Sequence, residues 1–339
     1  MNGFKASLQA LLFAALLTAC ATAPQEPVAA QTEAGTVAAA MPDLSEEGLN
    51  PRPLGEVEAV SGFDCPLSNN LKEAFDRELV NTTRPPGTDT SDHAPFGLPV
   101  PTVNVDNEIL LHHKEYLVMY DTDLKVPVWV AYKLEKKNLV SRPRTNCFRP
   151  DPRLTEAQNP QLLDYTEPVF DRGHLVPRAD MNRTEAAMLN TFVLTNMTPQ
   201  HARFNQGLWG ELETQVREMA YRNKKIYIVS GSVFDKNGDH VRDADADADR
   251  MQPFDNVAIP THFYKVVLHQ LDDGTIESVA VLVPNENTSM NKAERLAFLN
   301  SHRVSVDEIE AVSGYDLFPD LPDTVETAME ASVSTYEFQ

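Results

Sequence analysis

The stretch Asp171-Arg172-Gly173-His174, followed by a helical pattern that starts near Asn205, constrains this chain more than any other feature. From about Gln206, apolar residues recur every three to four positions, as in a helix with one buried face; they are Leu208, Leu212, Val216 and Met219. Beside that face, and on one side of the same helix, run Asn205, Trp209, Glu213 and Arg217. We therefore predict that an amide, a carboxylate and an arginine project together toward the turn that holds His174.

The segments that precede this helix are expected to be extended. Residues 169–176 are predicted to form a strand or extended turn that delivers His174, and residues 191–195 are predicted to form a second strand. A strand, a strand and a helix would then surround one site.

The rest of the chain is rich in short β-prone runs. Two pairs of these runs flank turn sequences and predict hairpins: 116–120 with 126–132, and 263–268 with 278–283. Residues 225–231 predict a buried strand, and residues 304–310 predict a short strand that leads into a capped helix. Many strands with few long helices indicate an α+β domain with a mixed or antiparallel central sheet.

The N-terminal residues have the pattern of a sorting segment. Lys5 precedes a short apolar run, which ends in Leu17-Thr18-Ala19-Cys20 and resembles the lipobox of bacterial lipoproteins. The resemblance implies that residues 1–19 are a signal peptide and that Cys20 is lipidated, which anchors the chain in the bacterial cell envelope. Because Ala21 rather than an aspartate follows Cys20, the same resemblance implies the outer membrane, on its periplasmic or surface face. An ordinary secretory signal with a coincidental cysteine is the alternative.

Composition divides the remaining chain. Residues 20–60 are rich in Ala, Pro, Glu, Gln and Thr and predict a flexible tether, because they offer few bulky apolar side chains. Residues 61–321 are predicted to form one domain, and residues 322–339 a loose acidic tail. Cys65 and Cys147 would pair in an oxidising compartment or stay as two buried thiols, and the sequence leaves both open.

The charge distribution is uneven. The chain has 29 basic and 50 acidic residues, a net charge of -21, which repels phosphates at long range. The segment from Lys133 to Lys225 instead holds 15 basic and 11 acidic residues. Because salt screens charges over about 8 Å, this local excess can outweigh distant acidic residues. We expect weak nucleic-acid binding without metal.

Three motifs occur in order: Asp171-Arg172-Gly173-His174, then Asn196-Met197-Thr198-Pro199-Gln200, then Asn205 with Trp209 and Glu213. Together they resemble the DNA/RNA non-specific endonucleases, the ββα-metal or His-Me finger group that includes endonuclease G. The resemblance runs from about Cys65 to Pro319 and implies a ββα-metal active-site motif. It also implies Mg²⁺ as cofactor, with Mn²⁺ as a substitute.

The resemblance assigns roles to single residues. His174 would be the general base, since a neutral imidazole accepts a proton near neutral pH; a buried, hydrogen-bonded histidine is the alternative. Asn205 would be the direct protein ligand of the metal, although an asparagine before a helix is more often an N-cap. Glu213 and Asp171 would accept hydrogen bonds from metal-bound waters, whereas a solvated helix face is the alternative for Glu213.

Arg144 lies in a segment, Arg144–Asp151, that resembles the family segment carrying a phosphate-contacting arginine, and Arg172 and Arg217 match two further family arginines. The guanidinium groups of all three suit negatively charged oxygens. A structural salt bridge is an equal alternative for Arg172. Asn196 is assigned to supporting hydrogen bonds. The acidic run Asp243–Asp249 has carboxylates for Ca²⁺ but lacks the EF-hand ligand order, so a solvated loop is the favoured interpretation.

These features predict a lipid-anchored, Mg²⁺-dependent endonuclease that cuts DNA and RNA through phosphate contacts. One alternative is a metal phosphodiesterase for small substrates. The other is a non-catalytic surface lipoprotein that binds nucleic acid. An inhibitor protein that protects the host is a further partner to consider. The preference for DNA or RNA and the oligomeric state are left open.

Overall fold

The structure is a computed structural model that describes residues 65–82 and 92–339, so the predicted signal segment, Cys20 and the predicted tether lie outside the described residues. The α-helices of the described part are α1 (Asn69–Asn81), α2 (Glu185–Asn190), α3 (Gly210–Asn223), α4 (Lys292–Ser301), α5 (Val306–Ser313) and α6 (Asp323–Glu330). Its strands are β1 (Val100–Pro101), β2 (Glu108–His112), β3 (Leu117–Asp121), β4 (Val126–Glu135), β5 (Phe170–His174), β6 (Met197–His201), β7 (Lys225–Val233), β8 (His262–Gln270), β9 (Ile276–Pro284), β10 (Arg303–Val304) and β11 (Tyr315–Asp316). Within residues 65–82 and 92–339, no helix has both the length and the apolar character to cross a membrane.

Seven strands form one antiparallel sheet, in the order β10-β9-β8-β7-β4-β3-β2. Both predicted hairpins are confirmed, as β3 with β4 and β8 with β9. The predicted strand β7 is confirmed as well, and so is the helix α5, whose N-cap Ser305 accepts a hydrogen bond from the Glu308 amide. The predicted α+β class with an antiparallel central sheet is therefore confirmed.

Both faces of the large sheet are covered. Ile228 and Val267 lie in one hydrophobic cluster with residues of α3, whereas Val229 and Val266 lie in a second cluster with residues of α5. Successive strand residues point to opposite faces. A strand that is buried on both faces therefore needs apolar residues at consecutive positions, which explains the uninterrupted apolar runs in the sequence.

The prediction that residues 191–195 form the second strand of the site is wrong. Thr191 is the C-cap of α2, and Leu194 begins a short 3-10 turn. Phe192 and Leu194 are buried by packing in a third hydrophobic cluster rather than by pairing in a sheet. The strand that pairs with β5 is instead β6, in a separate two-stranded sheet.

The C-terminal tail, predicted to be loose, is ordered. It contains α6, and Phe338 near its end is buried in the same cluster as α3. The Gln339 amide donates to Oε1 of Gln215 at 3.1 Å, and Nε2 of Gln215 donates to the Gln339 carbonyl at 2.7 Å. A few apolar side chains are enough to dock a segment whose overall composition is acidic.

The acidic run Asp243–Asp249 takes its partners locally. Asp245 pairs with Arg242 at 3.0 Å and Asp249 pairs with Lys236 at 2.7 Å. Asp243 accepts from the side chain of Asn237 at 3.1 Å. These contacts favour the solvated acidic loop over a Ca²⁺ site at this position.

Cys65 and Cys147 form a disulfide, which decides between the two states that the sequence left open. Cys147 is buried in the third cluster with Phe148 and Phe192, and Phe75 of α1 packs against it. The disulfide therefore attaches α1 to the segment that carries Arg144.

We expect the double variant Cys65→Ser, Cys147→Ser to lower the free energy of unfolding by about 2–5 kcal/mol. The bond joins cysteines that are 82 residues apart in sequence, so its loss releases a long loop in the unfolded chain. Urea unfolding under oxidising conditions measures the effect. Wild-type protein treated with a reductant is the control and should lose a similar amount. Identical unfolding midpoints for the variant and the oxidised wild type would contradict the prediction.

Candidate active site

Strands β5 and β6 place His174 and Asp171 at fixed positions. In their antiparallel register His174 lies opposite Met197, and Asp171 lies opposite Gln200. A Cβ atom at Gly173 would fall 2.2 Å from the buried side chain of Gln200, so only glycine fits between the two motif residues. The close approach of the two strands accounts for the glycine in Asp171-Arg172-Gly173-His174.

Asp171 orients the amide of Asn205. Oδ2 of Asp171 accepts a hydrogen bond from Nδ2 of Asn205 at 2.8 Å and a second one from Nε2 of Gln206, also at 2.8 Å. Because the amide nitrogen of Asn205 is held by Asp171, its carbonyl oxygen Oδ1 faces away from the carboxylate. The geometry leaves Oδ1 as the atom that Asn205 offers to a ligand.

Asn205 is not an N-cap. The helical segment begins with a π-helical turn, Phe204–Trp209, whose N-cap is Arg203, and continues directly into α3. Asn205 therefore lies inside the first turn. Turns of π-helix are often found at functional sites, where they change the direction of single side chains.

The oxygen donors near β5 suit a hard divalent cation. Mg²⁺ prefers oxygen ligands and retains several waters, so one carbonyl oxygen beside a carboxylate is a sufficient protein contribution. Oδ1 of Asn205 and the carboxylate of Asp171 provide this pair, and both residues are only partly buried. The residues present therefore fit such an ion.

The helix pattern predicted that four side chains project together: Asn205, Trp209, Glu213 and Arg217. In the structure these side chains differ in how deeply they are buried. The apolar face of the helix is confirmed, since Leu212 and Val216 are in the core. However, Trp209 and Arg217 are each 1% exposed and Glu213 is 6% exposed. Asn205 is only partly buried and lies with Trp209 in the π-helical turn, whose number of residues per turn differs from that of the α-helix that carries Glu213 and Arg217.

A buried network of charged groups lies under α3. Nη1 of Arg217 pairs with Oδ1 of Asp180 at 3.1 Å, and Oδ2 of Asp180 accepts from the Tyr132 hydroxyl at 2.8 Å. Nζ of Lys265 lies 4.6 Å from the centre of the Trp209 ring. Burial lowers the pKa of Lys265 to about 8, although the charges of Glu213 and Asp180 act in the opposite direction. Glu213 thus takes part in the electrostatics of this network.

The contacts of Arg217 are those of a positioning residue. Its guanidinium donates a hydrogen bond to the buried carboxylate of Asp180 and another to the Thr214 hydroxyl, the latter at 3.1 Å. Its contact with phosphate and the contact of Glu213 with metal-bound water both stay predictions.

We expect Arg217→Met to lower the free energy of unfolding by about 3–5 kcal/mol. The substitution would leave Asp180 buried without its cation, and breaking one side of a buried ion pair costs more than removing both sides. Chemical unfolding of the single variant and of Arg217→Met, Asp180→Leu tests this reasoning. The double variant should recover part of the lost stability, and a single variant as stable as wild type would contradict the role.

His174 lies at the end of β5 between two aromatic rings. Its ring packs edge-on against Phe192, with centroids 4.7 Å apart, and lies 6.0 Å from the ring of Phe148. Its Nε2 is buried and has no hydrogen-bond partner, although the residue as a whole is partly exposed.

The pKa of His174 is held well below its ordinary value of 6.5. Burial is the largest cause, followed by the positive charges of Arg144, Arg178 and Arg172. Burial disfavours the charged imidazolium, and nearby cations act in the same direction. The ring is thus a neutral base at physiological pH.

Two of the predicted arginines lie beside the two aromatic rings that flank His174, one arginine at each ring. The guanidinium of Arg172 lies 4.0 Å from the centre of the Phe148 ring, and that of Arg144 lies 5.7 Å from the centre of the Phe192 ring. Nε of Arg144 also donates to Oδ1 of Asn146 at 2.7 Å. These contacts bring both positive groups to the neighbourhood of His174.

Asn196 supports the loop after His174. Its Oδ1 accepts from the Val176 amide at 2.9 Å, and its Nδ2 donates to the carbonyls of Val176 at 3.1 Å and Thr191 at 2.9 Å. The side chain is fully buried. These are the hydrogen bonds of a residue that shapes the site and makes no contact with solvent.

Residues 93–324 match the family described as DNA/RNA non-specific endonuclease, which is more than half of the chain. This chain belongs to the DNA/RNA non-specific endonuclease family.

Individual members of the family are similar over most of the described residues. The mitochondrial nuclease EXOG of Danio rerio is 33% identical over 233 residues, which cover 67% of this chain and 64% of that protein. A protein named nuclease from Nostoc sp. is 29% identical over 272 residues, which cover 75% of this chain and 92% of that protein. The mitochondrial endonuclease G of Caenorhabditis elegans is 28% identical over 216 residues. The matched region spans less than two thirds of the zebrafish and mouse EXOG proteins.

Three residues of this endonuclease-family site were not singled out from the sequence. Gln206 shares the carboxylate of Asp171 with Asn205, and its place next to Asn205 was the available signal. Arg178 lowers the pKa of His174 from the turn that follows β5. Lys265 is buried under α3, and nothing local in β8 distinguishes it from an exposed strand lysine.

Proposed function

We propose that this protein is a metal-dependent endonuclease that hydrolyses phosphodiester bonds in DNA and RNA. The observation that carries the proposal is the double hydrogen bond by which Asp171 holds Asn205 and Gln206, on the same strand as His174, whose pKa is held well below 6.5. Membership of the family and relatives named as nucleases support the same activity.

In this proposal His174 removes a proton from the attacking water through its neutral imidazole. Arg144 and Arg172 bind the phosphoryl oxygens, whose negative charge increases in the transition state. Asn205 would hold Mg²⁺ through Oδ1, with Mn²⁺ as a substitute, and Asp171 and Glu213 would accept hydrogen bonds from its waters. Such an ion supplies positive charge for the phosphoryl and leaving oxygens. The resemblance to the family implies products with 5′-phosphate and 3′-hydroxyl ends.

Contacts to phosphate account for low sequence specificity. Phosphate groups are the same at every nucleotide, so a protein that recognises them reads little of the sequence. The segment from Lys133 to Lys225, which includes the three predicted arginines and His174, has 15 basic against 11 acidic residues in an otherwise acidic chain. A local positive charge of this kind supports substrate binding at the site.

The test is incubation of the purified protein with supercoiled plasmid and with structured RNA, in Mg²⁺ and in EDTA. Nicking of both substrates in Mg²⁺ and not in EDTA is expected. Intact nucleic acids in the presence of folded protein and Mg²⁺ would overturn the proposal. Hydrolysis of a small phosphodiester without plasmid cleavage would instead support the small-substrate alternative.

The low pKa of His174 predicts the pH dependence of cleavage. The base is active when neutral, so kcat/KM should stay constant as the pH falls from neutrality through 6.5 and decrease only at lower pH. A pH profile at saturating Mg²⁺ measures this acid limb. Arg144→Gln should move the midpoint of the limb upward, because it removes a positive charge that disfavours the imidazolium. A wild-type midpoint at or above 6.5 would contradict the prediction.

We further propose that the protein is lipid-anchored through Cys20 in the bacterial cell envelope. The lipobox-like Leu17-Thr18-Ala19-Cys20 supports the anchor. The disulfide between Cys65 and Cys147 supports an oxidising compartment. Metabolic labelling with palmitate should mark the wild type and not Cys20→Ala, and equal labelling of the two would refute the anchor.

A further inference from the structure

A cluster of carboxylates lies where α6 meets α5, outside the residues assigned to the proposed active site. Asp307 lies in the first turn of α5, Glu310 lies near its middle, and Glu330 is the last residue of α6. One carboxylate oxygen from each residue lies within 4.8 Å of the other two. Across residues 65–82 and 92–339, no other group of three metal-ligating His, Cys, Asp or Glu side chains comes this close together.

Glu330 is the unusual member of this cluster. It is only 6% exposed, and its Oε1 is buried without a hydrogen-bond partner. A buried polar atom without a partner costs free energy, because it has lost water and gained nothing in exchange. Its carboxyl group lies beside those of Asp307 and Glu310 and can hydrogen-bond to Glu310 only if the two share a proton. A cation in this group would take the place of that proton and provide the partner that Oε1 lacks.

The charges around the cluster are of one sign. Those that act most strongly on Glu330 come from Glu310, Glu326, Asp316 and Asp307, all acidic. Burial first, and these neighbours second, raise the pKa of Glu330 to about 8. Glu330 is also at the C-terminal end of α6, where the helix dipole disfavours a negative charge and favours a cation.

Packing holds the three residues in this arrangement. Met329, next to Glu330, is buried in the second hydrophobic cluster together with Ile309 and Val312 of α5. The two helices cannot separate without exposing these side chains to water. The carboxylates are therefore kept close together by apolar contacts, against their mutual repulsion.

We propose that Asp307, Glu310 and Glu330 bind a Ca²⁺ ion that fastens α6 to α5. Three carboxylates compensate the charge of a divalent ion, and Ca²⁺ bonds of about 2.3–2.6 Å can bridge oxygens at these separations. Asp307 is exposed, which leaves room for waters in an irregular coordination shell. Ca²⁺ accepts such a shell, whereas Mg²⁺ demands a near-ideal octahedron.

This site is independent of the proposed nuclease centre. Glu330 lies beyond residues 93–324, the part that matches the family, so the site is a property of this chain's own C-terminal segment. Ca²⁺ binding here would strengthen the docking of α6 on the second cluster. Success or failure of the proposed nuclease activity leaves the inference unchanged.

Calorimetric titration of CaCl₂ into the EDTA-treated protein tests the proposal. The background variant is Asn205→Ala, which removes the metal ligand of the nuclease centre. One Ca²⁺ per chain should bind, and saturating Ca²⁺ should raise the melting temperature by about 5 °C or more. Adding Glu330→Gln should abolish both effects. Adding Glu337→Gln, an equal change of charge at an exposed position of the same tail, should abolish neither.

Glu310→Gln is a second test in case Glu330→Gln does not fold, and it should weaken Ca²⁺ binding at least tenfold. Without Ca²⁺ and above pH 8, where the Glu330 carboxylate is charged, a folded Glu330→Gln protein should melt above its parent, because one of the repelling carboxylates is gone. Absence of Ca²⁺ binding to the Asn205→Ala protein would overturn the proposal. Unchanged Ca²⁺ binding in both glutamine variants would also overturn it, and so would equal binding of Mg²⁺ and Ca²⁺.

Discussion

His174→Ala should reduce the rate of plasmid nicking by about 10²–10⁴-fold, which is the contribution typical of a positioned general base. The residue is suited to that task because its pKa is held well below 6.5 by burial and by Arg144, Arg178 and Arg172. The ring is thus free to accept a proton at every pH near neutrality. Single-turnover cleavage in saturating Mg²⁺ measures the loss directly.

The control for this substitution is His269→Ala. His269 is a strand histidine at the end of β8, and its contact with the exposed Glu277 is a weak one at 4.0 Å. The His269 variant should retain wild-type cleavage. Circular dichroism must show that the His174 variant is folded, since His174 packs against Phe192. A folded His174→Ala protein with wild-type activity would remove histidine from the mechanism.

Asn205→Ala should lower cleavage by about 10³-fold or more, because several kcal/mol of charge stabilisation depend on the ion that this residue would hold. The variant should also lose Mg²⁺ binding in the same concentration range in which the wild type saturates. Cleavage as a function of Mg²⁺ concentration, together with calorimetric titration, separates lost metal binding from lost chemistry.

The neighbouring amide provides a matched comparison. Gln206→Ala removes the second hydrogen bond to Oδ2 of Asp171 and leaves Oδ1 of Asn205 in place. We expect a loss of about tenfold, which corresponds to one hydrogen bond to a charged group. Equal losses for the two variants would mean that Asn205 acts only through Asp171 and does not hold the metal.

Local patterns in the sequence predicted much of the fold. The apolar spacing of Leu208, Leu212 and Val216 predicted the buried face of α3, and the hairpins β3–β4 and β8–β9 followed from β-prone runs around turn residues. The motif residues were found for the same reason, because their identity and spacing lie within one short stretch. The comparison confirmed the family that these motifs indicated, whereas the roles of the single residues stay predictions.

Where local patterns failed, distant contacts were the cause. Residues 191–195 have the composition of a strand, but they end α2 and are buried against Cys147 and Phe148. The tail was predicted to be loose from its acidic composition, but Phe338 and Gln339 dock against α3 and α4. Burial by another part of the chain outweighs local propensity in both segments.

The amino-acid sequence alone determined which residues could do chemistry here: a histidine, an amide and several arginines near one predicted helix. Only the tertiary structure decided what each of them contacts. It bound Asn205 to Asp171, paired Arg217 with Asp180 and brought Glu330 to Asp307. Such contacts join residues far apart in sequence and depend on how whole helices and sheets pack. A periodic pattern records only which face of an element is buried, not which side chain it will meet.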